Sequence, residues 1–315
     1  MTDARRACKR RRRITPTRLV RRTGANSGTV AALEVAVTFV WSVMARPVAY
    51  ALVFLLLAAP AAAQGSLDSL DSSRRRAPAV FTVRDALVLT LFTGASVGLM
   101  QADTWIARDL ADEDVQSNNT LSSLAKGASL VNEKSLFAAG LLGYATSRLA
   151  GSPSGSDIAW HATEAIVISS TLATIVRGAL GRTRPFVTLN EDAFDFHPWK
   201  GFGAQKYRAF PSIHAAASLS AAAVVAGELA HRAPHTGRFV TPVVYTLAIL
   251  PGLGRMYRGK HWASDILMGS AFGAIVGRKV VQYHHSRPGN KLDRIFLGAA
   301  PFGGDALGLV VSYRF

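Results

Sequence analysis

The sequence predicts an all-α protein, a bundle of apolar helices that ends in a short C-terminal β-hairpin. Hydrophobic residues make up 49% of the 315 residues and the mean hydropathy is +0.20, values typical of helices packed in or against a membrane. Over about 79–288, long Ala, Leu, Val and Ile stretches alternate with Gly, Pro and charged clusters, as helices separated by loops do. In the final segment, 307–315, large apolar residues occupy alternate positions, which is the period of a strand.

The chain begins with a basic extension, residues 1–43, which holds ten Lys and Arg residues against Asp3 and Glu34 and so carries half of the net charge of +16. Alone, such a segment would indicate nucleic acid or an anionic membrane surface. The next segment, 44–63, has the layout of a secretory signal peptide: a basic start, an apolar stretch and a small-residue cleavage site. We therefore expect translation to start at Met44, export to the bacterial cell envelope and no nucleic-acid partner. The alternative is a basic cytoplasmic tail before an uncleaved anchor.

A polar, flexible linker is predicted over 64–78, and a helical domain over 79–288. Most of the uncharged stretches are shorter than the roughly 20 residues that cross a bilayer, so membrane spanning is predicted for none of them in particular. The single cysteine, Cys8, lies in the basic extension, which excludes disulfides and thiolate metal sites from the rest of the chain. The predicted helices lie near 84–100, 122–131, 134–149, 157–180, 212–231, 239–253 and 262–283.

Two segments depart from the plain helical pattern. Residues 186–210 combine polar and aromatic side chains, which predicts a long loop that shapes the entrance of a site. Residues 289–315 form the predicted hairpin, which we expect to pack on the helical body because one hairpin cannot close a barrel. Within the last helix, glycines recur every four residues and predict the close approach of another helix: Gly269, Gly273 and Gly277.

Three short stretches concentrate polar residues, and each has an ordinary explanation when taken alone. Residues 177–185 put two arginines seven residues apart, Arg177 and Arg184, at a helix end, where they complement the helix dipole. Residues 210–214 contain Ser212, a natural N-cap residue. Residues 254–265 contain a histidine followed four residues later by an aspartate, a spacing that usually forms a structural hydrogen bond.

Together the three stretches resemble the signature motifs of the type 2 phosphatidic acid phosphatase superfamily, which also includes vanadium haloperoxidases and bacterial acid phosphatases. The superfamily pattern is Lys-x6-Arg-Pro, then Pro-Ser-Gly-His, then Ser-Arg-x5-His-x3-Asp. The order, the internal spacing and the helical setting agree over about 157–283. The resemblance implies a helical bundle of that superfamily's kind and an enzyme that transfers phosphoryl groups.

The resemblance also implies a role for each motif residue. His261 would attack phosphorus and form a phosphohistidine, and Asp265 would hold the other nitrogen of its ring. His214 would protonate the leaving oxygen and then activate water. The phosphoryl oxygens would be bound by four residues that carry hydrogen-bond donors: Arg177, Arg184, Ser212 and Arg255.

The chemistry of these residue types agrees with those roles. Phosphoryl transfer needs positioning and stabilisation of charge on the equatorial oxygens, and guanidinium groups suit it because they bind oxygens bidentately. A helix that begins at Ser212 directs free N–H groups at an anion. A histidine–carboxylate pair orients a neutral nucleophile. Because the arginines supply the positive charge, we expect no metal site and no cofactor.

Three positions depart from the superfamily pattern. Arg177 replaces Lys, which keeps the charge but changes its geometry. Ile213 replaces Gly and puts a bulky side chain where it could crowd the phosphate cradle, and Gly254 replaces Ser and removes a hydroxyl. Because the nucleophile, its aspartate and the acid histidine are retained, we expect an active enzyme.

The favoured function is a metal-independent phosphatase that hydrolyses phosphate or diphosphate esters. A lipid such as phosphatidate or a polyprenyl diphosphate is favoured over a soluble phosphomonoester, because apolar helices surround the polar site. We expect the protein at a membrane with its active site facing the periplasm, or free in the periplasm; the oligomeric state is not predicted. The alternatives are a vanadium-dependent haloperoxidase and a non-catalytic envelope protein that docks through its C-terminal strand.

Three of the histidines that lie outside the three motifs are also candidate site residues. His161 and Glu164 lie three residues apart on an apolar helix, and we interpret them as a buried hydrogen-bonded pair rather than half of a metal site. His284 and His285 follow the last predicted helix beside basic residues, and we interpret them as a solvated basic end.

Overall fold

A computed structural model describes residues 81–287, 290, 293, 300–301 and 309–310. The helical fold class predicted for 79–288 is confirmed over these residues, whereas the predicted extension, signal peptide and linker lie outside them. The helices are α1 (Val83–Leu110), α2 (Glu113–Gln116), α3 (Asn119–Leu130), α4 (Glu133–Leu149), α5 (Pro153–Leu180), α6 (Lys200–Gly203), α7 (Ile213–Arg232), α8 (Pro234–Tyr257) and α9 (Ala263–Ser286), with a 3-10 turn at Gln205–Tyr207.

Two helices are longer than the sequence pattern predicts by about ten residues, a much larger difference than at the other helices. α1 runs to Leu110 rather than 100 because Asp103, which interrupts its apolar pattern, is buried against partners from other elements. α8 extends beyond 239–253 at both ends, with Pro234 in its first turn, where the missing N–H costs nothing. Polar and proline positions therefore mislead a boundary prediction when tertiary structure accommodates them.

The core lies between α1, α5, α7 and α9. α7 carries an Ala-rich sequence and packs against α5, α8 and α9, so most of its residues are buried. The predicted close approach at the glycine-patterned face of α9 is confirmed. A Cβ atom on any of its glycines would overlap a backbone oxygen of α7; the pairs are Gly269 with Ser212, Gly273 with Ala216 and Gly277 with Ser220.

The segment between α5 and α7 is mostly irregular, as predicted, but also contains α6 and the 3-10 turn. α5 ends at Gly181, which has φ +63°, and a β-bridge joins Arg182 to Phe196. The segment leaves six large apolar side chains exposed: Phe186, Val187, Leu189, Phe194, Trp199 and Phe202.

At the C-terminus, β1 (Ala300–Pro301) pairs antiparallel with β2 (Leu309–Val310), with Ala300 opposite Val310. Most of the other residues of 289–315 lie outside the described residues. A two-residue ladder does not establish the predicted hairpin or its packing on the helices, so that hairpin stays a prediction.

Several described helices could cross a membrane. By length and composition alone, four of them qualify: α1, α5, α7 and α8. α1 and α8 also expose large apolar side chains along their length, for example Leu87, Leu91, Val243 and Leu247. Contiguous apolar surface of this kind favours association with a membrane.

Candidate active site

The three motifs converge because each occupies the end of a helix. Arg177 lies in the last turn of α5, and Ser212 caps the start of α7 just before His214. Arg255 lies in the last turn of α8, and His261 lies in the short connection to α9. Helix caps and turns therefore set the position of every predicted site residue.

The two histidines meet at one site. The ring centroids of His214 and His261 are 6.5 Å apart, with the ring planes inclined by 56°. His261 is buried, whereas the side chain of His214 is 16% exposed. A buried imidazole beside a more accessible one is an arrangement in which one ring can attack and the other can exchange protons with water.

The orientation of His261 is fixed by the main chain. Its Nδ1 atom lies 2.8 Å from the carbonyl oxygen of Ala209, and since a carbonyl only accepts, Nδ1–H donates this hydrogen bond. Nε2 then carries the lone pair. Burial, followed by the nearby charges of Arg184 and Arg255, holds the pKa of His261 well below its usual value. The ring is therefore neutral, as a nucleophile must be.

Asp265 lies near His261 but does not make its shortest contact. The Oδ2 atom of Asp265 is 3.4 Å from Nδ1 of His261 and accepts a 2.7 Å hydrogen bond from the backbone N–H of Trp262. Its Oδ1 atom accepts a 2.6 Å bond from Arg182. This arrangement corrects the expectation that Asp265 holds the imidazole nitrogen. The Ala209 carbonyl accepts the hydrogen bond from Nδ1 of His261, and the Asp265 carboxylate lies further from that atom, at 3.4 Å.

Arg182 is a residue that the sequence analysis missed. Its guanidinium is fully buried and lies between two carboxylates, with bonds of 2.6 Å to Asp265 and 2.8 Å to Asp103. It also donates to the hydroxyl of Ser264 and to the carbonyl of Ala193. The available signal was Asp103, an acidic residue inside an otherwise apolar helix, which needs a cationic partner.

Three other arginines surround the histidines without a comparable partner. The Nε atoms of Arg177, Arg184 and Arg255 are buried and make no hydrogen bond within the described residues. Burial, with repulsion from the other two guanidinium groups, lowers the pKa of Arg184 to about 10. Buried cations that repel one another are stabilised by an anion, so this arrangement is suited to a phosphoryl group.

Two further charged residues at the site were not predicted. Glu133, in the first turn of α4, has its Oε2 atom 3.8 Å from Nδ1 of His214. Arg208 donates to the carbonyls of Gly201 and Phe202 and so fixes the segment before α7. Both come from elements outside the three motifs, and their sequence surroundings gave no signal.

Ser212 acts as a helix cap in this structure. Its hydroxyl accepts a bond from the N–H of Ala215, and its own N–H donates to the carbonyl of Asp265 at 3.0 Å. The second motif is thereby attached to the start of α9. A phosphate contact from the Ser212 hydroxyl stays a prediction.

The structure explains two of the three departures from the motif pattern. Ile213 is buried in the core, in a cluster that includes Met100 and Phe272, and so does not crowd the histidines. At Gly254, a Cβ atom would lie 2.8 Å from the carbonyl oxygen of Ala125 on α3. A serine therefore could not fit there without moving α3.

Comparison with known proteins was made on the sequence. Residues 158–288 match the family model described as PAP2 superfamily. Among curated proteins, the lipid A 1-phosphatase of Porphyromonas gingivalis is 30% identical over 103 residues, which cover 33% of this chain and 22% of the relative. The lipid A 1-phosphatase of Rhizobium johnstonii is 32% identical over 109 residues, which cover 35% of this chain and 41% of the relative. The matched region thus spans less than half of either relative, and no solved structure matches the chain.

Proposed function

Since the region 158–288 belongs to the PAP2 superfamily, we propose that this protein is a lipid phosphatase that works through a phosphohistidine on His261. The observation that carries the proposal is the neutral, buried imidazole of His261 near three arginines whose Nε atoms are buried and without a hydrogen-bond partner among the described residues. Its Nε2 atom carries the lone pair because Nδ1 donates to the Ala209 carbonyl. A nucleophile and an anion-binding group of cations are therefore present at one place.

In the first step, Nε2 of His261 attacks phosphorus, the P–N bond forms and the bond to the leaving oxygen breaks. Protonated His214 gives its proton to that oxygen. The imidazole of His261 becomes cationic, and this charge is supported by the Ala209 carbonyl and by the carboxylate of Asp265. The guanidinium groups of Arg177, Arg184 and Arg255 bind the equatorial oxygens, where most of the charge lies.

In the second step, His214 takes a proton from water, and the resulting hydroxide attacks the phosphohistidine. The P–N bond breaks, inorganic phosphate leaves and His261 returns to its neutral state. Burial, followed by the charge of Arg255, lowers the pKa of His214 to about 3, so its ring is neutral before substrate binds. Glu133, 3.8 Å from Nδ1, and the negative charge of the bound phosphoryl group favour the protonated form of His214 that starts the cycle. Each proton is returned, so the chain's own residues complete the reaction without a metal ion or a cofactor.

The proposed substrate is a phosphate or diphosphate ester of a lipid. The apolar exposed faces of α1 and α8 and the names of both relatives support a membrane lipid, with lipid A, phosphatidate and polyprenyl diphosphate as the candidates. We propose that the active site faces the periplasm after export through the predicted signal peptide.

The test is phosphate release by the purified full chain in detergent. The assay compares four substrates without added divalent metal: lipid A, phosphatidate, a polyprenyl diphosphate and a soluble aryl phosphate. Each substrate is tested with and without vanadate, and bromination is assayed in parallel. We expect release from at least one lipid, inhibition by vanadate and loss of release in His261→Ala. His235→Ala, at an exposed position on α8, is the control. Release that persists in His261→Ala, or bromination without phosphate release, would overturn the proposal.

A further inference from the structure

A second polar cluster lies on the same helices as the candidate active site. His161 precedes Arg177 on α5 by 16 residues, about 24 Å along a helix, and Glu228 follows His214 on α7 by 14 residues, about 21 Å. His284 lies near the end of α9, whereas the active-site residues lie at its start. The cluster is therefore separate from the phosphatase chemistry.

Each of two histidines in the cluster uses one ring nitrogen on a carboxylate. Nδ1 of His161 lies 2.7 Å from Oε1 of Glu228, and Nε2 of His284 lies 2.7 Å from Oε2 of Glu164. The two rings stack with centroids 3.9 Å apart. The predicted His161–Glu164 pair is therefore wrong, since each residue has a different partner. His284 is buried rather than solvated.

The other two ring nitrogens converge on a third carboxylate. Oδ1 of Asp293 lies 2.5 Å from Nδ1 of His284 and 3.8 Å from Nε2 of His161. These three atoms all lie within 4.8 Å of one another. Nε2 of His161 is buried and has no hydrogen-bond partner within the described residues.

The hydrogen bonds decide which atoms carry protons. An ionised carboxylate accepts only, so Glu228 and Glu164 hold the N–H groups of His161 and His284. Nε2 of His161 then presents a lone pair, and Nδ1 of His284 lies 2.5 Å from Oδ1 of Asp293, a distance that requires either a proton or a metal cation at this contact. Three electron-rich atoms this close repel one another unless a cation lies between them.

We propose that His161, His284 and Asp293 bind one Zn²⁺ ion through Nε2, Nδ1 and Oδ1. Two imidazole nitrogens and one carboxylate oxygen form a ligand set that this ion prefers, with water in the fourth position. Tetrahedral ligands at about 2.0–2.1 Å from zinc lie about 3.3 Å from one another, a separation between the 2.5 Å and 3.8 Å at which Asp293 lies from the two imidazole nitrogens.

The surrounding carboxylates strengthen this assignment. Metal-bound histidines characteristically donate their second N–H to a carboxylate, which fixes the tautomer and the ring orientation, as Glu228 and Glu164 do here. Asn290 holds the third ligand by donating to Oδ2 of Asp293 at 2.6 Å. Bound zinc would tie the chain that follows α9 to α5, independently of the proposed phosphatase function.

The competing occupant is a proton on Nδ1 of His284, shared with Asp293. Cobalt distinguishes the two, because Co²⁺ in a nitrogen and oxygen site has visible absorption and a proton has none. The purified full chain is stripped with a chelator, dialysed and titrated with Co²⁺, and its zinc content as isolated is measured by mass spectrometry. The variants are His161→Gln and Asp293→Asn, with His235→Gln, an exposed histidine of α8, as the matched control.

We expect the wild type and the control to bind one Co²⁺ per chain. Both variants should bind Co²⁺ at least tenfold more weakly. Removing the metal from the wild type should leave its phosphate release unchanged. Circular dichroism verifies that each variant is helical; should His161→Gln fail to fold, the partly exposed Asp293→Asn decides alone. Absence of cobalt absorption in the wild type, or equal affinity in the variants, overturns the proposal.

Discussion

The two ends of the bundle differ in how their arginine side chains are paired. At the end that holds the candidate active site, Arg177, Arg184 and Arg255 have buried Nε atoms without a hydrogen-bond partner among the described residues. At the other end, Arg232 is paired at once with Glu228, at 2.9 Å, and with Asp157, at 2.5 Å. The same bundle thus carries cations that need an external anion at one end and cations that are satisfied internally at the other.

This difference separates a binding site from a structural network. Burying an unpaired charge is costly, so a group of buried guanidinium ions is retained where a ligand compensates for it. Where carboxylates outnumber the cations, as around His161 and His284, the missing component is positive instead. The sign of the uncompensated charge therefore predicts a phosphoryl group at one end and a metal ion at the other.

The largest effect is expected for His214, the proposed acid–base residue. His214→Asn should lower phosphate release from a lipid about 10²–10⁴-fold, because no group then protonates the leaving oxygen. An aryl phosphate has a leaving group that needs less protonation, so the same substitution should lower phosphate release from it much less. The measurement is the ratio of variant to wild-type rate for each of the two substrates. An equal loss for both substrates would contradict the acid role and indicate a structural one.

The next effect concerns the paired arginine within the first motif. Arg182→Met should lower the free energy of unfolding by about 3–5 kcal/mol, because it leaves the buried carboxylates of Asp103 and Asp265 without their cation. Urea unfolding followed by circular dichroism measures the change. Arg238→Met, at an exposed position on α8, is the control and should have little effect. Equal stability of the two variants would show that the network contributes nothing.

The unpaired arginines should control the pH profile of the site. The charge of Arg184 helps to hold the pKa of His261 low, so Arg184→Gln should raise that pKa. A nucleophile with a higher pKa becomes protonated at higher pH, and the acid side of the kcat/KM profile should therefore move to higher pH. Arg238→Gln is the control for loss of a positive charge. A lower rate with an unmoved acid side would limit Arg184 to phosphate binding.

The smallest effect concerns the contact that joins the two ends. Gly273→Ala places a methyl group against the backbone of Ala216 and should lower the free energy of unfolding by about 1–3 kcal/mol. The control is Gly98→Ala on α1, where a Cβ atom would meet nothing within 4 Å. That substitution should be neutral or stabilising, because alanine favours helix more than glycine does. Thermal unfolding of both variants tests whether the α7–α9 contact is as close as described.

The sequence predicted the parts of the site that are local in the chain. His214 and His261 were identified because each lies in a compact motif with fixed spacing, and the glycine pattern of α9 directly encodes a helix contact. The partner of Arg182 was missed because Asp103 lies 79 residues away and no local pattern links them. The orientation of Ile213 was missed for a similar reason, since only packing between helices decides which way a side chain points.

Pairing among charged residues was the least predictable feature. His161 was assigned to Glu164 because they are three residues apart on one helix, but the fold brings Glu228 of α7 closer. His284 was judged solvated because its sequence neighbours are basic, although its structural neighbours are acidic. Neighbours in sequence and neighbours in space differ most where several helices meet, and both errors lie there.

The bond between His261 and the Ala209 carbonyl has a consequence for how the candidate active site can change by substitution. The N–H of Ala209 donates to the carbonyl of Arg182 at 3.0 Å, so Ala209 is held on one side by the first motif and contacts His261 of the third on the other. A backbone acceptor neither titrates nor disappears when a side chain is replaced. The alignment of the nucleophile is therefore insensitive to most point substitutions, and altering it requires a change in the path of the main chain between the first two motifs.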